Sequence, residues 1–114
     1  MLETQVDLKE SIKHNWERFK EKMPDIGRAY QELPGEVYKD GALSAKTKRL
    51  MSIAIAVASG CRGCMLYQTE HALNAGCSSE EILEACAVAI SMGGTMAAAE
   101  TTRVVQYLVE LGKL

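Results

Sequence analysis

Aromatic side chains are scarce: one Trp, one Phe and four Tyr in 114 residues. With 47 % of the residues apolar, a core must be built from Ala, Leu, Ile, Val and Met. Proline is nearly absent too, at positions 24 and 34 only, so little interrupts regular helices. There is no sustained period-two alternation, and the Asp40-Gly41 pair joins no such runs, so the usual signals of strands and hairpins are missing. Basic charge is not in excess: 13 Lys and Arg against 15 Asp and Glu leave a net charge of -2. That excludes a nucleic-acid footprint, and the small cluster Lys46, Lys48 and Arg49 does not restore one. Long apolar runs are missing as well. The most apolar one, Leu50 to Ala58, is far shorter than the ~20 residues a bilayer requires. The opening residues alternate charge with apolar side chains, unlike a secretory signal. The expectation is a single soluble, cytoplasmic domain over 1–114, with no nucleic-acid or membrane partner.

Helix punctuation is abundant. Asp7 with Glu10 has capping-box spacing and predicts the first helix, with Leu8, Ile12, Trp16, Phe19 and Met23 on one face. Pro24 ends that helix and seeds the next, which Pro34-Gly35 should break. Ser44 caps a third helix, Ala45 to about Ser59, whose "LMSIAIAVA" is apolar on nearly every side. Such a helix is buried, centrally or against another subunit. Gly60 separates it from a fourth helix carrying Cys61 and Cys64 in its first turn and ending at Gly76. Ser78 and Glu81 form a further capping box, Gly93-Gly94 breaks the fifth helix, and a last segment runs from about Thr95 to Leu111. The class is all-α, with five or six helices: N-terminal helices over 7–39 and a core over 41–111.

The four cysteines are the chemically suggestive residues. Cys61 and Cys64 stand one turn apart at a predicted helix start, where unpaired backbone N–H groups favour a thiolate. Arg62 adds positive charge, and Gly63 is expected to keep the approach open. A metal site would need two further ligands, and Cys77 and Cys86 do not make a second Cys-x-x-Cys pair. A c-type haem would need His after the second Cys, where Met65 stands. Plain packing of two small residues stays open beside redox use, and the pattern implies no cofactor. Cys77 and Cys86 read as packing residues, as do Met51, Met65, Met92 and Met96. Glu81 reads as a cap, with Glu80 and Glu84 on a solvated face. His14 reads as a surface residue, and Gly93-Gly94 as a site of close helix packing.

The stretch "GALSAKTKRLMSIAIAVASGCRGCMLYQTEHALNAGCSSEEILEACAVAISMGGTMA" resembles the carboxymuconolactone decarboxylase / alkylhydroperoxidase D-like (AhpD-like) family. The shared pattern is a Leu-Ser and Lys-Thr-Lys helix start, an apolar helix, Cys-x-x-Cys, "ALNAG", "SSEEI" and "MGG". The resemblance implies an all-helical fold that assembles as a homo-oligomer, a trimer or hexamer. For members with the dithiol it implies thiol-dependent reduction of hydroperoxides, with a dithiol reductant protein as partner. On that pattern Cys61 and Cys64 are the catalytic residues, Cys64 attacking peroxide and Cys61 resolving the product. The family also places a His four residues after the second Cys and a Glu twelve before the first, as a proton relay. Those positions hold Gln68 and Arg49 here, and Gln68 cannot take a proton near neutral pH. His71, about 10 Å along the helix axis from Cys64, is expected to be a polar surface or interface residue rather than a substitute base. The expected function is thus a peroxidase or dithiol oxidoreductase of antioxidant defence with a weakened relay. The alternatives are a non-enzymatic redox sensor or scaffold, and a decarboxylase acting on an organic acid.

Overall fold

In the computed structural model, which describes residues 4–114, five helices follow one another: α1 Gln5–Lys22, α2 Pro24–Val37, α3 Ala45–Ser59, α4 Arg62–Asn74 and α5 Ser79–Glu110. No strand occurs among the described residues, so the all-α class holds. α3, α4 and α5 pack on one another, α1 lies across α4 and α5, and α2 packs against α1 alone among the helices. The core is aliphatic, as the shortage of aromatics requires. Ile53, Val57, Met65, Leu66, Ile82, Val104 and Leu108 are fully buried, each contributing roughly 1.5–3 kcal/mol relative to exposure.

Local chemistry accounts for most helix ends. Ser44 accepts from the Thr47 N–H, and Gly60 closes α3 at φ 74°, a left-handed conformation that suits glycine. Ser78 and Glu81 form the reciprocal capping box of α5. α5 then leaves helical geometry at Gly94 (φ 66°, ψ −143°). Beside it, a Cβ on Gly93 would meet the Ala97 side chain at 2.8 Å and the Ala58 backbone at 3.4 Å. Close packing is therefore the reason for the first glycine and a change of backbone direction the reason for the second.

Several expectations give way. α1 is capped by Thr4, whose hydroxyl accepts from the Asp7 N–H at 3.0 Å. The Asp7–Glu10 spacing is fortuitous, and Asp7 instead places its charge inside the first turn. Pro34 does not break α2, which continues to Val37. Near the end of an exposed helix a proline forgoes one bond to a carbonyl that solvent can serve, and the Tyr38 N–H closes the last turn on the Pro34 carbonyl at 3.0 Å. The residues α1 buries are Gln5 and Lys9, while Phe19 and Met23 of the predicted apolar face are exposed. Lys9 pairs with Glu70 and lies 4.5 Å from the centre of the Tyr67 ring. The Gln5 and Val6 N–H groups donate to the two oxygens of Glu110 at 3.0 and 2.8 Å.

Of the methionines expected to pack, Met65 is buried, but Met51, Met92 and Met96 are exposed. Ile55 of the apolar third helix is 65 % exposed. One face of α2, formed by Ile26, Tyr30, Leu33 and Val37, is likewise open. Among the described residues α5 alone is long and apolar enough to cross a membrane by length and composition, a signal that the run Leu50–Ala58 does not convey. Its buried residues, from Ile82 to Leu108, belong to the core shared with α3 and α4, and Gly94 interrupts its helical backbone geometry.

Candidate active site

The turn from α3 into α4 is built by Gly60, whose left-handed backbone lets the Cys61 N–H bond back to the Ala56 carbonyl at 2.9 Å. That return sets Cys61 at the N-cap of α4 and Cys64 at its third helical position. Their Cα atoms are 5.2 Å apart and their sulfurs are joined in a disulfide. The Cys61 sulfur accepts from the Cys64 N–H at 3.3 Å, so one sulfur already serves as a helix cap. Cys64 is exposed and Cys61 half-buried. Opening the disulfide would thus give one thiol facing solvent and another held among helix-end donors.

Cys77 and Cys86 are free thiols and both are buried. Burial pushes the Cys77 thiol up, reinforced by the charge of Glu81 and opposed by Lys46. Burial also pushes Cys86 up, against a hydrogen bond with Thr101. Protonated, enclosed thiols are poor nucleophiles. Among the described residues no group of three or more His, Cys, Asp or Glu is placed to hold a metal ion.

Gly63 is not an access point. A Cβ there would meet the Ile12 side chain at 3.2 Å, so this glycine lets α4 lie against α1. Arg62 points toward α5, where its Nε is 3.8 Å from a Glu100 oxygen that Arg103 approaches to 3.6 Å. That oxygen is enclosed and makes no hydrogen bond. Met96 also borders the turn, its sulfur 3.4 Å from where a Cβ on Gly60 would lie.

Arg49 and Gln68 come together. The Arg49 Nη1 donates to Gln68 Oε1 at 3.0 Å, and the guanidinium carbon lies 3.5 Å from the centre of the Tyr38 ring. Tyr38 in turn is tied through its hydroxyl to Ser52, which donates to the Lys48 carbonyl at 3.0 Å. A cation stacked on an aromatic face and bonded to a neutral amide occupies the two positions where the sequence pattern expects a relay. His71 is half-buried one turn beyond Gln68. Burial lowers its pKa first and the Arg49 charge second, with Glu70 opposing. Both burial and the Arg49 charge favour its neutral form. Tyr38, Ser52 and Glu100 are absent from the sequence reading. Tyr38 lies between helices α2 and α3, where no periodicity applies. Glu100 is one of many charges on α5, and only the fold turns it toward Arg62.

The chain matches the Carboxymuconolactone decarboxylase family over residues 24–107. It is 28 % identical to the apo form of a carboxymuconolactone decarboxylase family protein from Legionella pneumophila, with a TM-score of 0.88 covering 96 % of this chain and 97 % of that one. It is 33 % identical to a family member from Thermotoga maritima for which a part in an antioxidative response has been suggested, with a TM-score of 0.69 covering 75 % and 88 % of the two chains. An uncharacterised protein of Cupriavidus necator is 33 % identical over 84 residues, 74 % of each chain.

Proposed function

As the chain belongs to the carboxymuconolactone decarboxylase family, we propose that it is a dithiol peroxidase of its Cys-x-x-Cys branch, reducing hydroperoxides through Cys64 and Cys61. The observation that carries this reading is the Cys61–Cys64 disulfide at the start of α4, with Cys64 exposed and the other two thiols enclosed. The antioxidative response suggested for the Thermotoga relative points the same way.

The Cys64 thiolate attacks the outer oxygen of the hydroperoxide, and the O–O bond breaks. The alkoxide leaves and takes a proton from water, becoming the alcohol, while Cys64 becomes a sulfenic acid. The Cys61 thiol then forms the S–S bond, and its proton departs with the sulfenic hydroxyl as water. The peroxide gains two electrons, the dithiol loses two, and an external dithiol reductant returns them by thiol–disulfide exchange. No residue at the Gln68 position takes a proton in this cycle. Arg49 and the helix end favour the thiolate by static charge instead. A cytoplasmic setting, which keeps resting thiols reduced, belongs to the same reading. Mapping disulfides by mass after dilute hydroperoxide treatment of the reduced protein tests it: Cys61 should be linked to Cys64, with Cys77 and Cys86 recovered as thiols. A principal disulfide through Cys77 or Cys86 would refute it.

The working form is proposed to be a homo-oligomer, a trimer or hexamer. Supporting this are the exposed Met51 and Ile55 on α3, Met92 on α5 and the open apolar face of α2, which a domain of this size leaves uncovered. Sedimentation at micromolar concentration should give a multiple of the 12.5 kDa chain mass; a stable monomer would contradict it.

A further inference from the structure

Arg49 is a half-buried cation. Among the described residues it enters no salt bridge, bonding only neutral Gln68 and stacking on Tyr38. Three carboxylates on segments adjoining α3 are engaged elsewhere: Glu70 by Lys9, Glu81 by Lys46 and Asp40 by the Ala45 N–H. The adjacent Lys48 spends its charge on the Val37 and Lys39 carbonyls. Charges withdrawn from water are ordinarily paired, yet among the described residues no carboxylate supplies this guanidinium with a counter-ion. One Arg N–H is committed to Gln68, leaving the rest of a planar fork suited to a carboxylate. Its reach toward the dithiol follows from the helix. Gln68 is four residues past Cys64, about 6 Å along the axis, and holds Arg49 beside the same helix.

We infer that Arg49 seats a carboxylate of the molecule that meets Cys64, so that the hydroperoxide reduced here is a carboxylate-bearing one with several bonds between its two functional groups. A monoanion suits a lone guanidinium better than a phosphate, which would call for more donors than this position collects. Tyr38 acts as a positioning residue: its ring, anchored through Ser52, holds the guanidinium beside Gln68.

The inference deepens the dithiol reading, and its test is independent of turnover. The reduced protein is labelled with a maleimide bearing a carboxylate on a three-carbon tether, and separately with the methyl ester of the same reagent. Modification of Cys64 is followed by peptide mass. Both reagents need the thiolate equally, so the acid-to-ester rate ratio cancels any change in thiol pKa and reports attraction of the anion alone. Arg49→Gln should lower the ratio about fivefold at low salt, the scale of one charge pair acting over several ångströms. Arg49→Lys, which keeps the charge, should retain most of it. Equal ratios in wild type and Arg49→Gln would overturn the inference. So would an Arg49→Lys ratio as low as that of Arg49→Gln, which would mark the loss as one of packing. A wild-type protein with the expected ratio but no hydroperoxide turnover would leave the anion seat standing and remove the peroxidase reading.

Discussion

Cys64→Ser should reduce hydroperoxide turnover by about three orders of magnitude or more, the scale seen when a covalent nucleophile is removed from an enzyme. The serine hydroxyl has no accessible anion at neutral pH, and Cys61, half-buried and capping α4, is poorly placed to meet a peroxide. Cys61→Ser should behave differently. Cys64 can still be oxidised once, so the variant should consume about one equivalent of hydroperoxide and stop, holding a sulfenic acid that a dione reagent captures. Single-turnover peroxide consumption by the two variants checks the assignment. If Cys64→Ser shows the one-equivalent burst and Cys61→Ser shows none, the roles are reversed.

The largest effect on stability should come from Glu70→Ala. Lys9 has only 10 % of its side chain exposed, whereas its partner Glu70 has 40 %. Removing Glu70 therefore strands an ammonium under α1, while removing Lys9 leaves a carboxylate that water can reach. Losing one partner of a fully buried pair costs about 3–5 kcal/mol. The exposure of Glu70 reduces this to about 2 kcal/mol, or a fall in Tm of roughly 8 °C for a domain of this size. Lys9→Met, which fills the same space without charge, should cost less than half as much. Thermal melts at one protein concentration decide the matter. Equal losses in the two variants would mean that the pair is no more than a surface contact.

Much of the fold is legible in the chain because helix ends are written in local chemistry. Ser44, Gly60, Gly76, Ser78 with Glu81 and Gly94 each act through backbone bonds within a few residues, and the structure places helix boundaries or an interruption at all of them. The misread points are those where a local signal had a competitor or depended on distant contacts. Thr4 lies upstream of the more conspicuous Asp7–Glu10 pair. Pro34 sits where a lost backbone bond costs little. Lys9 looks like any surface lysine until α4 brings Glu70 and Tyr67 over it. The candidate site divides along the same line. Cys61 and Cys64 announce themselves by spacing. Gln68 and Arg49 are found by counting along the family pattern, yet their contact needs the packing of α3 on α4. Gly63 illustrates the limit: its neighbours in sequence suggest access, and its neighbour in space, Ile12, shows packing.

Glu110 grips the first N–H groups of α1 from 104 and 105 residues away. First turns of helices normally fray, because their donors answer only to water or to a nearby side chain. Here the opening of α1 requires a carboxylate on the last turn of α5 to let go. Deuterium uptake at Gln5 and Val6 should therefore report on whether that distant turn is folded, and the two segments should open together rather than as independent ends. α1 also covers Gly63 in the first turn of α4 through Ile12, so the same latch holds the floor beneath the dithiol.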